Sequence, residues 1–247
     1  MSEFTIKNLH VTVDSKEVIQ GISLNFKKGF VYALLGPNGS GKSSLAMALM
    51  GDPRYVIKGK ILFNGDDISK ETTTQRARRG LFLSFQNPLE FAGVSIGAFL
   101  RTAVNTVKGK NISVLDFQKL LLAKMELLNI DPSFARRSLN EGFSGGEKKR
   151  LEILQLLLLE PQYAILDETD SGLDVDAMKT VAKGIHLLQQ ETKMGIIIVT
   201  HNPRFLQYLK PERVDILSDG KIVASGQDDL LLLLEKEGFA PFIKVKK

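Results

Sequence analysis

A glycine-rich stretch near the N-terminus constrains this sequence more than any other feature. Residues 36–43 read Gly-Pro-Asn-Gly-Ser-Gly-Lys-Ser and match the pattern G-x-x-x-x-G-K-[ST] at every fixed position. An apolar run at 30–35 precedes the stretch, and residues 44–50 after it have the composition of a helix. The order strand, loop, helix is the context in which this pattern binds phosphate, which disfavours an accidental glycine-rich turn.

The chemistry of a bound triphosphate explains these residue types. Backbone N–H groups must wrap the phosphates closely, and glycine supplies both the clearance and the positive φ angles. The following helix turns the positive end of its dipole toward the phosphates. Lys42 is predicted to lie between the β- and γ-phosphates, and the Ser43 hydroxyl to coordinate Mg²⁺. The predicted nucleotide-binding residues here are Gly36, Pro37, Asn38, Gly39, Ser40, Gly41, Lys42, Ser43 and Ser44.

Length and composition indicate one large soluble α/β domain. The chain has 247 residues, of which 43% are hydrophobic, enough to bury a sizeable core. It contains no cysteine, which excludes disulfides and thiolate metal sites and suits a reducing compartment. The N-terminus does not resemble a signal peptide and no run of 18 apolar residues occurs, so we expect a cytoplasmic protein without a membrane span. The net charge of +5 is only weak support for an anionic partner.

The first third of the chain predicts an antiparallel β-subdomain. Residues 4–13 and 18–26 alternate polar and apolar side chains, and residues 59–65 add another strand ending in a turn. Residues 67–79 are polar and predicted helical, and their arginines, Arg76, Arg78 and Arg79, are predicted to form a solvated face. Residues 80–85 then predict a buried strand.

The rest of the chain predicts a parallel sheet interrupted by a helical insertion. Residues 95–140 have a helical pattern, whereas the later apolar runs at 163–166 and 196–200 alternate with helices. Strands that alternate with helices imply a mainly parallel sheet with ligands at the carboxyl ends of its strands. We therefore predict an α/β fold whose nucleotide-binding core and β-subdomain cover 1–86 and 142–247, with a helical subdomain at 87–141.

Four polar residues directly follow predicted strands, namely Gln86, Asp167, Glu168 and His201. Asp167 is predicted to orient Mg²⁺ or its bound water, and Glu168 to polarise the water that attacks the γ-phosphate. Gln86 is predicted to contact Mg²⁺ or this water, which makes Ser43, Gln86 and Asp167 the predicted metal site. His201 is predicted to bond the γ-phosphate. Each residue alone has a structural alternative, such as a helix cap for the acidic pair, but the phosphate loop upstream favours the catalytic interpretation.

A second anion site is predicted at 143–147, where Ser144, Gly145 and Gly146 open a helix. One nucleotide cannot easily meet both this helix and the phosphate loop of the same subunit. We therefore predict a two-fold dimer in which these three residues of one copy cap the γ-phosphate held by the other.

These motifs together resemble the ATP-binding-cassette (ABC) ATPases over essentially the full length of the chain. Residues 36–43 resemble the Walker A loop, 143–147 the signature, 163–168 the Walker B strand and 171–174 the D-loop, with Gln86 and His201 as the Q-loop and switch residues. The resemblance implies an ABC-type P-loop fold and Mg²⁺-dependent hydrolysis of ATP.

Within this family, residues 142–150 and 167–174 are most similar to the iron–sulfur cluster assembly ATPases of the SUF system (SufC type). Transporter cassettes usually have leucine first and glutamine last in the signature, where this chain has Phe143 and Glu147. The departures from the SUF pattern are Thr169 and Leu151. The resemblance implies SufB- and SufD-type scaffold proteins as partners. No aromatic residue occurs near Val13, where many cassettes stack adenine, so no adenine-stacking residue is predicted.

Two alternatives stay open at this point. The same chemistry would serve a nucleotide-binding subunit that docks on a membrane permease. A translation- or DNA-associated cassette is a third possibility, which the single set of motifs and the lack of an aromatic and basic platform disfavour, so no nucleic-acid partner is predicted.

Helix and strand lengths lead to one further hypothesis. The signature helix descends roughly 20 Å and the following strand returns by about the same distance. The first turn of that helix is therefore expected near Glu168. We hypothesise that Lys148 or Lys149 pairs with Glu168 in the isolated subunit, the alternative being that both lysines are solvated.

Overall fold

Three β-sheets and the helices around them make up the described part of the protein. The computed structural model describes residues 3–84 and 90–243. The strands within these ranges are β1 (Glu3–Val13), β2 (Lys16–Lys27), β3 (Val31–Leu35), β4 (Val56–Phe63), β5 (Asp66–Asp67), β6 (Leu81–Ser84), β7 (Phe91–Ser95), β8 (Ser138–Leu139), β9 (Tyr163–Asp167), β10 (Gly195–Thr200), β11 (Arg213–Ser218) and β12 (Lys221–Gly226). The helices are α1 (Lys42–Met50), α2 (Thr73–Arg79), α3 (Ile96–Lys108), α4 (Val114–Leu127), α5 (Gly145–Leu159), α6 (Val175–Thr192), α7 (Pro203–Gln207) and α8 (Asp228–Glu237), and 3₁₀ turns cover Pro132–Arg136 and Ala240–Phe242.

The central sheet has six strands in the order β12-β11-β3-β10-β9-β6. All neighbours from β11 to β6 are parallel, and only β12 is antiparallel to its neighbour. Every residue of β3, β9 and β10 is buried, as expected of parallel strands with helices on both faces. The predicted α/β class with a mainly parallel sheet is therefore confirmed.

A separate antiparallel sheet, in the order β2-β1-β4-β5, packs over one side of this core. Its buried face carries an aromatic cluster in which Phe4 lies 5.5 Å from the Tyr163 ring and 5.9 Å from the rings of both Phe26 and Phe63. Tyr163 begins β9, so these rings join the two sheets in one hydrophobic core. The predicted antiparallel β-subdomain is thus confirmed.

A third hydrophobic cluster holds the helical region beside the core. In α3 its buried residues are Ile96, Leu100 and Val104, which recur every four positions and so lie on one face. They pack with apolar residues of α4, of the Pro132–Arg136 turn and of α5. The region also contains a short antiparallel ribbon of β7 and β8, which the prediction of a mainly helical subdomain did not include. The predicted boundaries at 87 and 141 remain a prediction.

The last part of the chain adds elements that carried no sequence prediction. Between α7 and α8, β11 and β12 extend the central sheet beyond β3. In the ranges 3–84 and 90–243, no helix is both long enough and apolar enough to cross a membrane.

The prediction that the arginines of 67–79 form a solvated face was wrong for Arg76. This side chain is only 2% exposed, whereas Arg78 lies on the surface as predicted. The Arg76 guanidinium donates hydrogen bonds to four backbone carbonyls, those of Ala48, Leu49, Ser69 and Glu71. Two of these carbonyls belong to the last turn of α1, where carbonyls lack the usual i+4 donors, although the Ala48 carbonyl also accepts the Gly51 N–H at 3.1 Å. Arg76 therefore fixes the C-terminal end of the helix that starts at the phosphate loop.

Replacing Arg76 with alanine is expected to lower the free energy of unfolding by about 3 kcal/mol, because four buried carbonyls lose a charged donor. Urea denaturation of the two variants measures the effect. Arg78→Ala is the matched control and should change stability by less than about 0.5 kcal/mol, as is usual for exposed positions. Equal effects of the two substitutions would contradict the role assigned to Arg76.

Candidate nucleotide-binding site

The parallel register of three neighbouring strands brings the predicted site residues to one edge of the sheet. β10 lies between β3 and β9, with Thr200 opposite Leu35 and Val199 opposite Asp167. The phosphate loop leaves β3, Glu168 follows β9 and His201 follows β10 at this same edge. Residues that are more than 30 positions apart in sequence thus come together at the carboxyl ends of the strands, as predicted.

A cleft of about 1170 Å³ lies over this edge. This volume is somewhat larger than that of a usual small-molecule site, and leaves room for a complete nucleotide. The predicted site residues that line it are Asn38, Gly39, Ser40, Gly41, Lys42, Ser43, Ser44, Glu168 and His201. The start of β2, the turn between β11 and β12 and the C-terminal turn complete the wall.

Two glycines of the phosphate loop are required for different reasons. At Gly36 a Cβ atom would lie 2.2 Å from the carbonyl oxygen of Leu217, so the need for glycine comes from close packing against β11. Gly39 has φ +78° and nothing within 4 Å of where a Cβ would be, so its need for glycine is conformational. The sequence prediction gave phosphate clearance and positive φ angles as the reasons for glycine. The φ angle of Gly39 agrees with the second reason, whereas for Gly36 the contact with β11 is a constraint that the prediction did not include.

Lys42 lies inside the loop and is only 5% exposed. Its ammonium donates hydrogen bonds to the carbonyl oxygens of Gly36, at 2.8 Å, and Pro37, at 3.0 Å. Burial lowers the pKa of this ammonium, while the charges of Glu168 and Asp167 oppose that change. A lysine ammonium carries three N–H donors, so this arrangement holds the charge at the loop and leaves a donor for a phosphate oxygen.

Asp167 and Ser43 form an oxygen site suited to a divalent cation. Asp167 is 2% exposed, and its Oδ1 has no hydrogen-bond partner in the described part of the chain. Burial raises the pKa of this carboxyl, which a hydrogen bond from Ser43 opposes. A buried carboxylate oxygen is costly unless it is paired, and hard oxygen donors are the ligands Mg²⁺ prefers. The two residues fit Mg²⁺, which would neutralise charge on the β- and γ-phosphates when bound.

Glu168 and His201 face each other across the ends of β9 and β10. Glu168 Oε1 lies 3.3 Å from His201 Nδ1, and the Glu168 backbone N–H donates to the Val199 carbonyl at 2.8 Å. Glu168 has φ +49°, an uncommon conformation for a residue other than glycine. The turn at the end of β9 therefore directs this carboxylate into the cleft, where it can act on a water molecule.

The hypothesis that Lys148 or Lys149 pairs with Glu168 is not supported. Lys148 forms an ion pair with Glu90 at 3.1 Å, and the buried Lys149 pairs with Glu152, also at 3.1 Å. Glu152 lies three positions further along α5, so both partners are on the same helix face. Helix and strand lengths do not determine the direction in which the side chains of α5 point.

The predicted second anion site is a well-formed helix start. Ser144 caps α5: its hydroxyl accepts a hydrogen bond from the Glu147 backbone N–H, and the Glu147 carboxylate accepts one from the Ser144 N–H. Ser144, Gly145 and Gly146 are exposed and are not among the residues that line the cleft within the described chain. Their predicted contact with the nucleotide of a second copy remains a prediction.

Arg137 is a part of this region that sequence reasoning missed. Its guanidinium forms an ion pair with Glu147 and lies 4.2 Å from the centre of the Phe143 ring and 5.2 Å from that of Phe134. The hydrogen bonds from Ser144 and then Arg137 lower the pKa of Glu147 to about 2. No sequence pattern predicts this contact for an arginine seven positions before Ser144, because the direction of the Arg137 side chain is set by the 3₁₀ turn before it and by β8 after it.

Gln86 lies outside the described residues. Its predicted contacts with Mg²⁺ and the attacking water therefore stay predictions.

The fold and the site together define a class of protein. A phosphate loop after a buried parallel strand, with an aspartate, a glutamate and a histidine at the neighbouring strand ends, defines a P-loop nucleotide-binding α/β protein.

Comparison with known proteins narrows this class. The sequence model of the family described as "ABC transporter" matches residues 19–171. "Vegetative protein 296" of Bacillus subtilis is 47% identical over 241 residues, which cover 96% of this chain and 92% of that protein. A "Probable ABC transporter ATP-binding protein" of Streptococcus pyogenes serotype M3 is 49% identical, over 97% of this chain and 94% of that protein. The structure titled "Dimeric Structure of MJ0796, a Bacterial ABC Transporter Cassette" has a TM-score of 0.78 at 19% identity and covers 91% of this chain and 98% of that one.

The chain therefore belongs to the ABC (ATP-binding cassette) family. It is an ATPase that uses ATP and Mg²⁺.

The lowered pKa of Glu147 predicts a stability effect in acid. A carboxylate whose pKa falls from about 4.3 in the unfolded chain to about 2 in the folded protein stabilises the fold fully above the higher value, and less as the pH falls toward the lower one. Glu147→Gln should thus be less stable than the wild type at neutral pH, and this difference should shrink between pH 5 and pH 2. Chemical denaturation at a series of pH values measures it.

Glu141→Gln is the control, because Glu141 is exposed and precedes the same helix. Its difference from the wild type should be small at all pH values. A difference for Glu147→Gln that stays constant down to pH 2 would exclude the charge of Glu147 as the cause.

Proposed function

We propose that this ATPase is the nucleotide-binding subunit of a SUF-type iron–sulfur cluster assembly complex. In this proposal ATP-driven dimerisation changes the shape of SufB- and SufD-type scaffold subunits. The chemistry takes place in the cleft at the edge of the central sheet, and the scaffold proteins bind elsewhere on the chain.

The observation that carries the proposal is the linked set of Phe143, Glu147 and Arg137. Phe143 and Glu147 are the two positions at which the signature departs from the leucine-first, glutamine-last form usual in transporters. They are not independent replacements, because Arg137 pairs with Glu147 and lies over the Phe143 ring. The charged Glu147 at the last position of the signature needs a cation, which Arg137 provides, and the Phe143 ring stabilises that cation. The two departures from the transporter form are therefore linked by direct contacts.

The lack of cysteine supports the same proposal. A chain without thiolates cannot supply the usual ligands of an iron–sulfur cluster, so it suits the motor of an assembly complex and not the cluster-holding subunit. The partner is accordingly expected to carry the cysteines.

We further propose catalytic roles for the residues at the strand ends. Glu168 acts as the general base on the attacking water, and His201 and Gln86 orient that water and the γ-phosphate. Lys42 and the loop backbone hold the β- and γ-phosphates. Ser43 and Asp167 hold Mg²⁺, with Gln86 as a further ligand. The 3.3 Å contact between Glu168 and His201 supports a shared task for the two residues.

The exposed start of α5 supports an ATP-dependent homodimer. Ser144, Gly145 and Gly146 offer backbone N–H groups at a helix N-terminus but do not line the cleft of their own subunit. A two-fold pairing would bring them to the γ-phosphate of the other copy. A neighbour in fold is titled a dimeric structure, which is compatible with this arrangement.

The alternative is the nucleotide-binding subunit of an ABC membrane transporter. The name of the Streptococcus pyogenes relative, "Probable ABC transporter ATP-binding protein", favours it. The ATPase chemistry is the same in both proposals, so only the identity of the partner protein distinguishes them.

Replacing Glu168 with glutamine tests the proposed base. The ATPase rate is expected to fall roughly 10²- to 10⁴-fold, the usual contribution of a general base, while ATP affinity changes little. Phosphate release and nucleotide titration measure the two quantities. Glu160→Gln is the matched control, because Glu160 is also a glutamate with φ +49° but lies at the end of α5, away from the cleft. A comparable loss of rate in the control would point to backbone strain instead of catalysis.

Purified SufB- and SufD-type scaffold proteins test the proposed partner. Adding them to this chain should raise the rate of ATP hydrolysis several-fold, and the stimulation should disappear in Glu168→Gln. A rate that does not respond to these proteins, but does respond to a membrane permease, would favour the transporter alternative.

A surface variant makes this test sharper. We place the scaffold contact on the insertion at 87–141, where Phe91 of β7 is 46% exposed and Val94 of the same strand is 40% exposed. Exposed large apolar side chains on one short strand suit a protein interface. Changing both to aspartate should remove the stimulation but leave the basal rate, since neither residue lines the cleft.

A further inference from the structure

The C-terminal turn forms one wall of the nucleotide cleft. Pro241, Phe242 and Ile243 all line it, together with Val18 of β2 and Val223 of β12. The phosphate loop contributes mostly glycine, serine and lysine, whereas these five residues are apolar. Charged side chains, those of Lys16, Glu17 and Lys221, line the cleft beside them. The cleft thus has a polar part for phosphates and an apolar part whose occupant has not been assigned.

The apolar part lies at the distance expected of a nucleobase. Gly220, in the turn before β12, donates its N–H to the Ser40 carbonyl of the phosphate loop at 3.1 Å. Val223 is three residues further along the chain, which corresponds to roughly 10 Å at the rise of an extended strand. A ribose and part of the triphosphate fit in this interval, so the base of the nucleotide reaches the apolar wall.

Phe242 is the only phenylalanine, tyrosine or tryptophan among the cleft residues of the ranges 3–84 and 90–243. The connection between β1 and β2 has no aromatic residue, since it reads Val13, Asp14, Ser15 and Lys16. A planar base gains most from a flat aromatic partner, because stacking adds to simple burial. Phe242 is therefore the one side chain in this wall that can stack on a base through an aromatic ring.

The position of Phe242 is fixed before any nucleotide binds. Its backbone N–H donates to the Phe239 carbonyl at 2.9 Å in a 3₁₀ turn that follows α8. The half-buried side chain packs against the hydrophobic core cluster to which α8 contributes Leu230 and Leu234. A ring held by the core on one side and facing the cleft on the other loses little entropy on binding.

We propose that Phe242 stacks on the nucleobase of the bound nucleotide and gives the site a preference for purines. Val18 and Val223 pack beside the base. The purine offers a larger surface than a pyrimidine to the ring, so ATP binds more tightly than CTP. This inference rests on the placement of the triphosphate at residues 36–44 proposed above.

Calorimetric titration of the full chain with ATP, CTP and inorganic tripolyphosphate tests the proposal. Phe242→Ala should weaken ATP binding about 5- to 100-fold, the range measured when an aromatic residue that stacks on a base is replaced. Tripolyphosphate affinity should not change, and the preference for ATP over CTP should largely disappear. Phe242→Leu, which keeps an apolar side chain in the core, should show the same pattern, and Phe242→Tyr should behave like the wild type.

Phe239→Ala is the matched control, because Phe239 packs against the same core cluster but does not line the cleft. It should leave all three affinities unchanged. Unchanged ATP affinity in Phe242→Ala and Phe242→Leu, or an equal loss for ATP and tripolyphosphate, would overturn the proposal.

The same titrations separate this inference from the proposed phosphate site. Lys42→Ala should weaken ATP and tripolyphosphate together if the loop holds the phosphates. If it weakens neither, the phosphate placement fails, while a preference for ATP over CTP that depends on Phe242 still supports stacking.

Discussion

The hydrogen-bonded pairing of β10 with β3 on one side and β9 on the other is the constraint on which the rest of the site depends. It sets Thr200 beside Leu35 and Val199 beside Asp167. Because side chains alternate along a strand, a slip of one residue in either ladder would turn a buried side chain to the wrong face. All three strands are buried throughout, so the side chains on both faces pack against neighbouring layers, and this close packing holds the register that gives the cleft its geometry.

Buried charge is compensated differently in the structural and the functional parts of the molecule. The Arg76 guanidinium donates its hydrogen bonds to backbone carbonyls, so its role is structural. Lys42 is bonded to carbonyls of its own loop, and Asp167 keeps an oxygen without a partner in the described chain. Burying an ionised group costs free energy unless all its charge is paired. Incompletely paired buried groups therefore occur mainly at sites where a bound ligand supplies the missing partner. The incompletely paired carboxylate thus lies at a part of the sheet edge that is suited to a cation.

The sequence predicted the parts of the site that follow apolar runs, and missed those that depend on distant packing. The phosphate loop, Glu168 and His201 were placed because each ends a run that has to be a buried strand. Arg76 could not be placed, since two of its four acceptors belong to a helix more than 20 residues earlier. The partner of Lys149 depended on the rotation of α5 about its axis, which element lengths do not determine. Gln86 and the exact bounds of the helical insertion remain predictions.

The contact between the phosphate loop and the C-terminal strands has a consequence for how the chain is made. Gly36 packs against the Leu217 carbonyl, and Ser40 accepts a hydrogen bond from Gly220, about 180 residues later in the chain. Contacts between residues so far apart in sequence form late, because the loop of chain between them must first be closed. The phosphate loop is synthesised long before β11 and β12, but its final geometry depends on contacts with these two strands. A growing chain therefore acquires a complete nucleotide site only after β11 and β12 have been synthesised, so competence for ATP depends on these two strands.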